Sequence, residues 1–216
     1  IPVVFISVSN PTGAGIITDM AHPDKNATGT SNAIPVSEMF KLADQLTPGC
    51  QTYGLLYTTG EINAVTTIND AKAYMDANGL KYVEKVVSNS SEVQQAAQSL
   101  VGSVDAIFCP NDSVVQAAMP QIAQIAREAK IPVYGSSAVM VNSGAFATIS
   151  ISDTEIGAIS ADMADQILKG TPVSEVPAKV VDVFTTVINQ NTADAIGASL
   201  SDNVKANAVL VEDSAQ

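Results

Sequence analysis

The sequence predicts an α/β fold in which parallel strands alternate with helices. From residue 50 onward, short apolar runs of strand length alternate with segments of helical periodicity. The helical segments span about 12 to 17 residues, enough to cross a sheet and return the chain to a parallel strand in right-handed βαβ units. Two apolar runs begin with the same Ile-Pro-Val, at Ile1 and at Ile131, and both turn to serines. This repeat indicates that one kind of strand occurs twice in the fold.

The predicted elements follow one another in a regular order. Asn78-Gly79 is typical of a helix end, and the pairs Ser91/Gln94 and Ser152/Glu155 are typical of helix starts. The predicted strands are "TYGLLYT" (52–58), "KYVEKVV" (81–87), "VDAIFCP" (104–110), "IPVYGSS" (131–137) and "AFATISIS" (145–152). The predicted helices are 62–78, 91–101, 114–130, a short turn ending at 143–144, and 154–169.

Composition and charge exclude several classes of function. Hydrophobic residues make up 46% of the chain, which is enough for a sizeable core, and no apolar run is long enough to span a membrane. The net charge is −12, from 22 acidic and 10 basic residues, and no Lys/Arg cluster interrupts it. Nucleic acids and anionic membranes attract concentrated cations, so neither is an expected partner. The acidity favours solubility.

The sequence contains no recognisable catalytic or metal-binding set. His22 is the only histidine, and "PTGAG" (11–15) lacks the third glycine of a dinucleotide-binding motif. Neither a nucleophile elbow nor a Walker motif occurs. Cys50 precedes one predicted strand and Cys109 closes another, so the thiols lie on the order of 15 Å apart, beyond disulfide reach, and we expect both to be free. A binding protein without metal or cofactor is therefore favoured over an enzyme.

Polar residues collect in the loops that follow the predicted strands. In open parallel sheets, ligands bind at this carboxyl edge. The same residue types also cap helices, so capping explains much of the composition. It does not explain Asn111-Asp112 directly before Ser113, or Glu61 and Asn63 in one turn. The loops concerned are 7–13, 58–64, 88–91, 110–113, 136–139 and 152–155.

Six segments, in order, resemble one family of proteins. They are "IPVVFISVSNPTGAG", "NATGTSN", "LLYTTGEINA", "AIFCPND", "KIPVYGSSAVMVNSGAFATISIS" and "EIGAISADMADQILKG". They are similar to solute-binding proteins of bacterial ABC importers of the tryptophan/phenylalanine-binding type, which have the periplasmic-binding-protein type I fold. The resemblance runs from Ile1 to about Gly197. It implies two Rossmann-like lobes, each a parallel sheet flanked by helices, joined by three chain crossings.

The resemblance also implies how the chain divides. Lobe I is expected over 1–49 plus 149–171, and lobe II over 50–148 plus 172–197, including a returning strand near 180–189. Residues 198–216 form a C-terminal tail. Members of the family carry a further segment before the counterpart of "IPVVF", so we expect lobe I to be incomplete here, with the missing segment either removed or present as another chain. A half sheet would otherwise expose apolar strand edges.

The ligand that the resemblance implies lies between the lobes. We expect a small zwitterion, an amino acid, with aromatic amino acids among the candidates. Its carboxylate would bind backbone N–H groups at helix N-termini, helped by the hydroxyls of Ser9, Thr58 and Ser137. Its ammonium group would need Asp112 or Glu61. Tyr57 and Phe5 either face the ligand side chain or pack in the core. The full predicted set is Ser9, Asn10, Thr58, Glu61, Asn63, Asn111, Asp112, Ser136, Ser137 and Asp153.

Two departures from the family pattern concern the ligand. At Asn10 the family often has Asp, and at Ala64 a Ser is common, so one acid and one hydroxyl are lost. These changes bear on which ligand is bound more than on the binding role.

The expected function is that of the substrate-binding component of an ABC importer. It would act outside the cell membrane, in the periplasm or on a lipid anchor, deliver its ligand to a membrane permease, and be monomeric at full length. Two alternatives stay open. One is the ligand-sensing effector domain of a transcription regulator, and the other is an α/β enzyme with catalytic residues in the absent segment. The first 30 codons of the gene discriminate transport from regulation.

Overall fold

The computed structural model describes residues 1–213, and these form two compact units. Unit 1 comprises Ile1–Ile34 and Ile151–Phe184, and unit 2 comprises Pro35–Ser150 and Thr185 onward. The strands are β1 Val3–Phe5, β2 Ala27–Ser31, β3 Thr52–Thr58, β4 Lys81–Val87, β5 Ala106–Cys109, β6 Val133–Gly135, β7 Ala147–Ile151, β8 Lys179–Val180, β9 Phe184–Asn189 and β10 Ala208–Val211. The α-helices are α1 Val36–Leu46, α2 Ile62–Asn78, α3 Ser90–Leu100, α4 Ser113–Ala117, α5 Met119–Ala129, α6 Ala138–Asn142, α7 Asp153–Leu168, α8 Gln190–Ile196 and α9 Asp202–Asn207. A short 3-10 helix covers Val173–Glu175.

Unit 1 is built on a three-stranded parallel sheet in the order β1-β2-β8. The central strand β2 is buried along its whole length although its sequence, ATGTS, is mostly polar. Its hydroxyls are satisfied inside the unit, since Thr28 donates to the carbonyl of Val176 (2.7 Å) and Thr30 pairs with Ser160 of α7 (2.8 Å). Hydrogen-bonded hydroxyls avoid the cost of burial, which explains how a polar segment forms a core strand.

Unit 2 is built on a seven-stranded sheet in the order β10-β9-β7-β6-β5-β3-β4. The pairings from β7 through β6, β5 and β3 to β4 are parallel. The N–H of Asn189, at the end of β9, donates to the carbonyl of Phe146, just before β7. The end of β9 thus lies beside the start of β7, so these two strands are antiparallel. β10 pairs with β9 in parallel. The observed fold thus confirms the predicted α/β class, with parallel pairing dominant and helices flanking the strands.

Both faces of the unit 2 sheet are covered by helices. On one face Phe40 of α1 packs against the rings of Tyr53, Tyr74 and Phe108, at centroid distances of 5.1 to 5.6 Å. On the other face a cluster of aliphatic side chains lies beneath α3 and α5, centred on Leu56, Leu100, Ile107, Met119 and Ile122. These buried side chains fix the strands, and the strands in turn fix the loops at their carboxyl ends.

The unit boundaries differ from the predicted lobe boundaries. Residues 35–49, predicted in lobe I, belong to unit 2, because Phe40 is buried against unit 2 rings and Thr47 hydrogen-bonds the hydroxyl of Tyr134 (2.7 Å). Residues 172–184, predicted in lobe II, belong to unit 1, where Ala178 and Val181 are core residues. The expected tail 198–216 contains α9 and β10 within its described part.

Three local predictions from the sequence differ from the structure. The helix predicted over 114–130 is interrupted at Ala118, since Pro120 has no N–H to continue the α4 ladder. α3 is capped by Asn89, whose side chain accepts from the N–H of Ser91, and not by the predicted Ser91. The predicted returning strand at 180–189 is divided between β8 of unit 1 and β9 of unit 2.

Other local predictions are confirmed. β3, α2 and β4 have the predicted bounds. Ser152 caps α7, because its hydroxyl accepts a hydrogen bond from the N–H of Glu155 (3.3 Å).

Across residues 1–213, no helix combines the length and apolar character needed to cross a membrane.

Candidate ligand-binding site

The carboxyl ends of β3, β5 and β6 are neighbours in the unit 2 sheet. Each leads directly into a helix, α2, α4 or α6, and the connecting loops bring polar side chains to this edge. Most of the predicted site residues lie in these loops or at the strand and helix ends that flank them: Thr58, Glu61, Asn63, Asn111, Asp112, Ser136 and Ser137. Strand adjacency therefore places together residues that are far apart in the sequence, as the parallel-sheet prediction expected.

Asp112 is buried, with 1% of its surface exposed, and its carboxylate is fully engaged. One oxygen accepts from the N–H and from the hydroxyl of Thr58, both at 2.7 Å. The other accepts from the N–H groups of Val114 and Val115, both at 3.0 Å, and so caps α4. A carboxylate with four such bonds has little capacity left for a ligand. The geometry thus assigns Asp112 to holding the end of β3 against the start of α4.

Glu61 differs from Asp112 in having a carboxylate oxygen to spare. Its Oε1 accepts from the N–H of Ser113 (2.9 Å) and from the hydroxyl of the same residue. Its Oε2 has no hydrogen-bonding partner within the described chain, and the side chain is half-buried. Of the two acids predicted to bind an ammonium group, Glu61 is therefore the one with free acceptor capacity.

The start of α2 is the second polar feature of this edge. Glu61 occupies the N-cap position, but its side chain reaches across to Ser113, so no side chain of residues 1–213 caps this helix. Asn89, Asp112 and Ser137 each cap the helix that follows them. The first N–H groups of α2 consequently lack an acceptor in the helix, and together with the helix dipole they favour a negative charge.

Two further contacts orient the side chains of this edge. Asn63 donates from its amide to the carbonyl of Asn111 (2.7 Å), which joins the β3 loop to the β5 loop. Ser136 donates to the carbonyl of Cys109 (3.0 Å). Both predicted residues are therefore positioned by backbone carbonyls of the neighbouring strand.

Gln116 is a polar residue of this edge that the sequence did not reveal. Its Oε1 accepts from the hydroxyl of Ser137 (3.0 Å), which also accepts from the N–H of Met140 (3.3 Å). Gln116 lies three residues after Ser113 on α4, so both face the same side of that helix. No motif singles out a glutamine in a helix, and only the contact with Ser137 identifies it.

Unit 1 holds the other predicted residues: Ser9, Asn10 and Asp153. Asn10 folds its own turn, because its Oδ1 accepts from the N–H of Gly13 (2.8 Å) and from the hydroxyl of Thr12 (3.4 Å). The carbonyl of Ser9 accepts from the hydroxyl of Ser31 (3.3 Å), which ties the β1 loop to the end of β2. Asp153 is exposed in the first turn of α7.

The structure also places the two aromatic residues considered for ligand contact. Tyr57 is buried, and its hydroxyl donates to Glu84 of β4 (2.9 Å). Burial, followed by this hydrogen bond, raises the pKa of Tyr57. Phe5 belongs to the unit 1 core with Ile17 and Ala27. Both rings therefore pack within their own units.

The structure also describes the surroundings of the two cysteines and of the histidine. Cys50 and Cys109 are free thiols, as predicted, and burial raises the pKa of Cys109 well above its ordinary value. A thiol with a raised pKa is a poor nucleophile. His22 is exposed and lies 3.5 Å from Asp19. Among the described residues, no group of His, Cys, Asp and Glu side chains is arranged to hold a metal ion.

An α/β fold with polar loops gathered at strand ends is typical of proteins that bind small molecules. Residues 1–212 match the family of ABC transporter substrate binding proteins, and the chain belongs to that family. A curated relative, the tyrosine-binding protein of Clostridioides difficile, is 32% identical over 207 residues. Those residues are 95% of this chain and 60% of the relative, so the chain spans about three fifths of that protein's length.

Solved structures of similar proteins include substrate-binding proteins. The ligand-free, open structure of a Clostridium difficile substrate binding protein with adhesive properties is 33% identical, with a TM-score of 0.87 over 99% of this chain and 72% of that one. An ABC domain from Streptococcus pneumonia, in complex with L-Trp, is 29% identical, with a TM-score of 0.87 over 97% of this chain and 72% of that one. A LacI family transcriptional regulator from Bifidobacterium animalis is 11% identical with a TM-score of 0.57, over 85% of this chain and 74% of that one, and shares the fold alone.

Proposed function

We propose that this protein binds an amino acid and delivers it to the permease of an ABC importer. The observation that carries the proposal is the pairing of opposite polarities in the loop Thr58–Ala64. Glu61 Oε2 is an acceptor without a partner among the described residues, and the adjacent start of α2 presents N–H groups that no side chain caps. A zwitterion carries the two complementary groups on one carbon atom.

Each charged group of the ligand has a proposed partner. The α-ammonium group donates to Glu61, forming a charge-assisted hydrogen bond. The α-carboxylate accepts from the backbone N–H groups at the start of α2, where the helix dipole adds to the attraction. Asn63, Asn111, Ser136, Ser137 and Gln116 supply further polar contacts, while Asp112 and Thr58 hold the loops in place.

An aromatic amino acid is the favoured ligand. The C. difficile relative bears the name tyrosine-binding protein, and the S. pneumonia domain was solved with L-Trp. In unit 1, Asn10 keeps the β1 loop in shape through its turn, and the carbonyl of Ser9 ties that loop to the end of β2.

Membership of the family supports a proposal about the cellular setting. We propose an extracytoplasmic location, in the periplasm or on a lipid anchor, and a monomer as the working form. The role is binding and delivery, with no catalytic step. The likeness to transcription regulators extends to the fold alone, so it does not favour the alternative role in gene regulation.

Isothermal titration calorimetry of the full-length protein with the twenty standard amino acids tests this function. We expect at least one aromatic amino acid to bind with a Kd well below about 1 mM, equivalent to about −4 kcal/mol. If no amino acid binds in this range, the ligand class is wrong. Native mass spectrometry of the purified protein gives an independent check, because an unmodified amino acid should be released on unfolding.

A further inference from the structure

The six methionines of the chain differ sharply in their access to solvent. Met20 is half-buried, in the loop that joins β1 to β2 in unit 1. The other five are buried, with at most 4% of their surface exposed: Met39, Met75, Met119, Met140 and Met163. A dissolved oxidant must reach the thioether to react with it, so exposure selects which methionine is modified.

Met20 also belongs to the packing of the unit 1 core. Its side chain packs against the buried cluster formed by Phe5, Ile17, Ala27 and Ala178. Its carbonyl accepts a hydrogen bond from the N–H of Ala178 (2.8 Å), in the segment that leads into β8. One residue therefore attaches the loop to the core by its side chain and to the segment before β8 by its backbone.

The turn that carries Met20 has hydrogen bonds of its own. The N–H and the hydroxyl of Thr18 donate to the two carboxylate oxygens of Asp24, at 2.9 and 2.5 Å. Within the turn, Asp19 accepts from the N–H of Ala21 (2.8 Å). These bonds hold the shape of the turn, whereas the contacts of Met20 attach it to the core. The turn can therefore leave the core without losing its own hydrogen bonds.

We propose that Met20 is the methionine that hydrogen peroxide modifies in this protein, and that its sulfoxide detaches the turn 18–24 from the unit 1 core. One oxygen atom of the peroxide forms a bond to the sulfur as the O–O bond breaks. The released hydroxide takes the proton from the oxygen on sulfur, so the products are methionine sulfoxide and water. The sulfur is oxidised, and the peroxide is reduced.

The detachment follows from the change in polarity. A sulfoxide oxygen held against Phe5 and Ile17 would lose its hydrogen bonds to water, so the oxidised side chain turns outward. The turn then moves with it, and the bond from Ala178 to the Met20 carbonyl opens more often. A methionine sulfoxide reductase with a thiol reductant reverses the modification. This chemistry lies within unit 1 and does not depend on the proposed function.

Peptide mapping by mass spectrometry tests the site in the full-length protein. The folded protein is treated with increasing concentrations of hydrogen peroxide, and the sulfoxide fraction is measured at each of the six methionines. We expect Met20 to be oxidised at least about tenfold faster than the five buried ones. Equal rates at all six, or a faster reaction at a buried methionine, would overturn the assignment.

Hydrogen–deuterium exchange measures the consequence, because an amide exchanges when its hydrogen bond opens. The N–H of Ala178 should exchange at least about tenfold faster after oxidation. The N–H of Phe146, which donates to the carbonyl of Val133 in unit 2 (2.7 Å), is the matched control and should not change. If the sulfoxide forms at Met20 and the exchange of Ala178 stays the same, the proposed detachment is wrong.

Two variants separate the effect of Met20 from general oxidative damage. Met20→Leu keeps an apolar side chain without sulfur, so peroxide should no longer speed the exchange of Ala178. Met20→Gln places a polar group at the same position, so it should speed that exchange without peroxide. A response to peroxide in Met20→Leu equal to that of the parent would show that another residue causes it. Slow exchange in Met20→Gln would contradict the role given to polarity.

Discussion

The carboxylate of Asp112 receives both the N–H and the hydroxyl of Thr58, each at 2.7 Å. This pair joins the last residue of β3 to the residue that caps α4, so one buried acid sets the spacing of two loops at the candidate site. An acid that the sequence predicts as a ligand contact has its oxygens occupied by the protein itself. We therefore propose that Asp112 contributes to binding through the loops that it holds.

Asp112→Ala should destabilise the fold. The substitution removes the cap of α4 and leaves the buried Thr58 hydroxyl without its acceptor, at a cost of about 3 kcal/mol. Urea unfolding measures the effect, and Asp70→Ala, on an exposed face of α2, provides the control. A variant that unfolds like the parent but no longer binds ligand would show that Asp112 contacts the ligand directly.

Glu61→Gln should impair binding more than folding. The amide oxygen can still accept from Ser113, so the free energy of unfolding should change by less than about 1 kcal/mol. The substitution removes the negative charge that faces the ammonium group of the ligand. The affinity for an amino acid should therefore fall about tenfold or more. Glu92→Gln is the matched control, because Glu92 also accepts from a loop N–H, that of Ser88, but beside the edge strand β4. Equal losses in the two variants would contradict the assigned role.

Gly144→Ala should destabilise unit 2 by about 2 kcal/mol. Gly144 has a φ of 109°, and a Cβ there would lie 2.7 Å from the Cβ of Ala123, a backbone-proximal atom that cannot move aside. Gly157→Ala is the comparison, since the site is within α7 and nothing lies within 4 Å of the added Cβ. That variant should be more stable than the parent by about 0.5–1 kcal/mol. Thermal unfolding of both variants and of the parent measures these changes in stability. A stabilising effect of Gly144→Ala would refute the predicted clash.

Acid should weaken the anchoring of the C-terminal segment. Arg127 donates two hydrogen bonds to the carboxylate of Asp213, at 2.7 and 2.8 Å, and these hold the pKa of Asp213 below its ordinary value, with Asn189 contributing a further bond. The folded protein binds a proton at this group more weakly than the unfolded chain does. The stabilisation is thus complete above the unfolded pKa and is lost as the pH falls through the lowered one.

Melting temperatures measured from pH 7 to pH 3 check this dependence. Asp213→Asn should lower stability at pH 7 and reduce the slope of the acid limb. Asp165→Asn is the control, because its ion pair with Lys169 (2.7 Å) is largely exposed and should contribute little. Identical slopes for the parent and Asp213→Asn would exclude a contribution from this pair.

Much of unit 2 is predictable because its signals are local. Apolar runs such as 52–58 and 81–87 have the length of strands, and the glycine after Asn78 ends a helix in the left-handed conformation that glycine favours. β2 escapes such reasoning, since ATGTS has no apolar period and is buried only because its hydroxyls find partners far along the chain. Hydrogen bonds between residues so far apart in the sequence depend on the tertiary structure, and a local sequence pattern does not reveal them.

The candidate site was predictable by position but not by role. The parallel-sheet rule brings Glu61 and Asp112 to one edge. Which of them retains a free oxygen depends on contacts with Ser113 and Thr58 across the sheet, and spacing in the sequence does not encode these. Gln116 was missed for the same reason, because only its contact with the hydroxyl of Ser137 reveals it.

The discontinuity of both units has a consequence for protein synthesis. Unit 1 needs Ile151–Phe184, which leaves the ribosome only after Pro35–Ser150 has emerged, and unit 2 then waits for β9 and β10. During translation the nascent sheet of unit 2 therefore ends at β7, with that edge open until Thr185–Asn189 arrives. The bond from Arg127 to Asp213 joins residues 86 positions apart, so it forms only after Asp213 has left the ribosome.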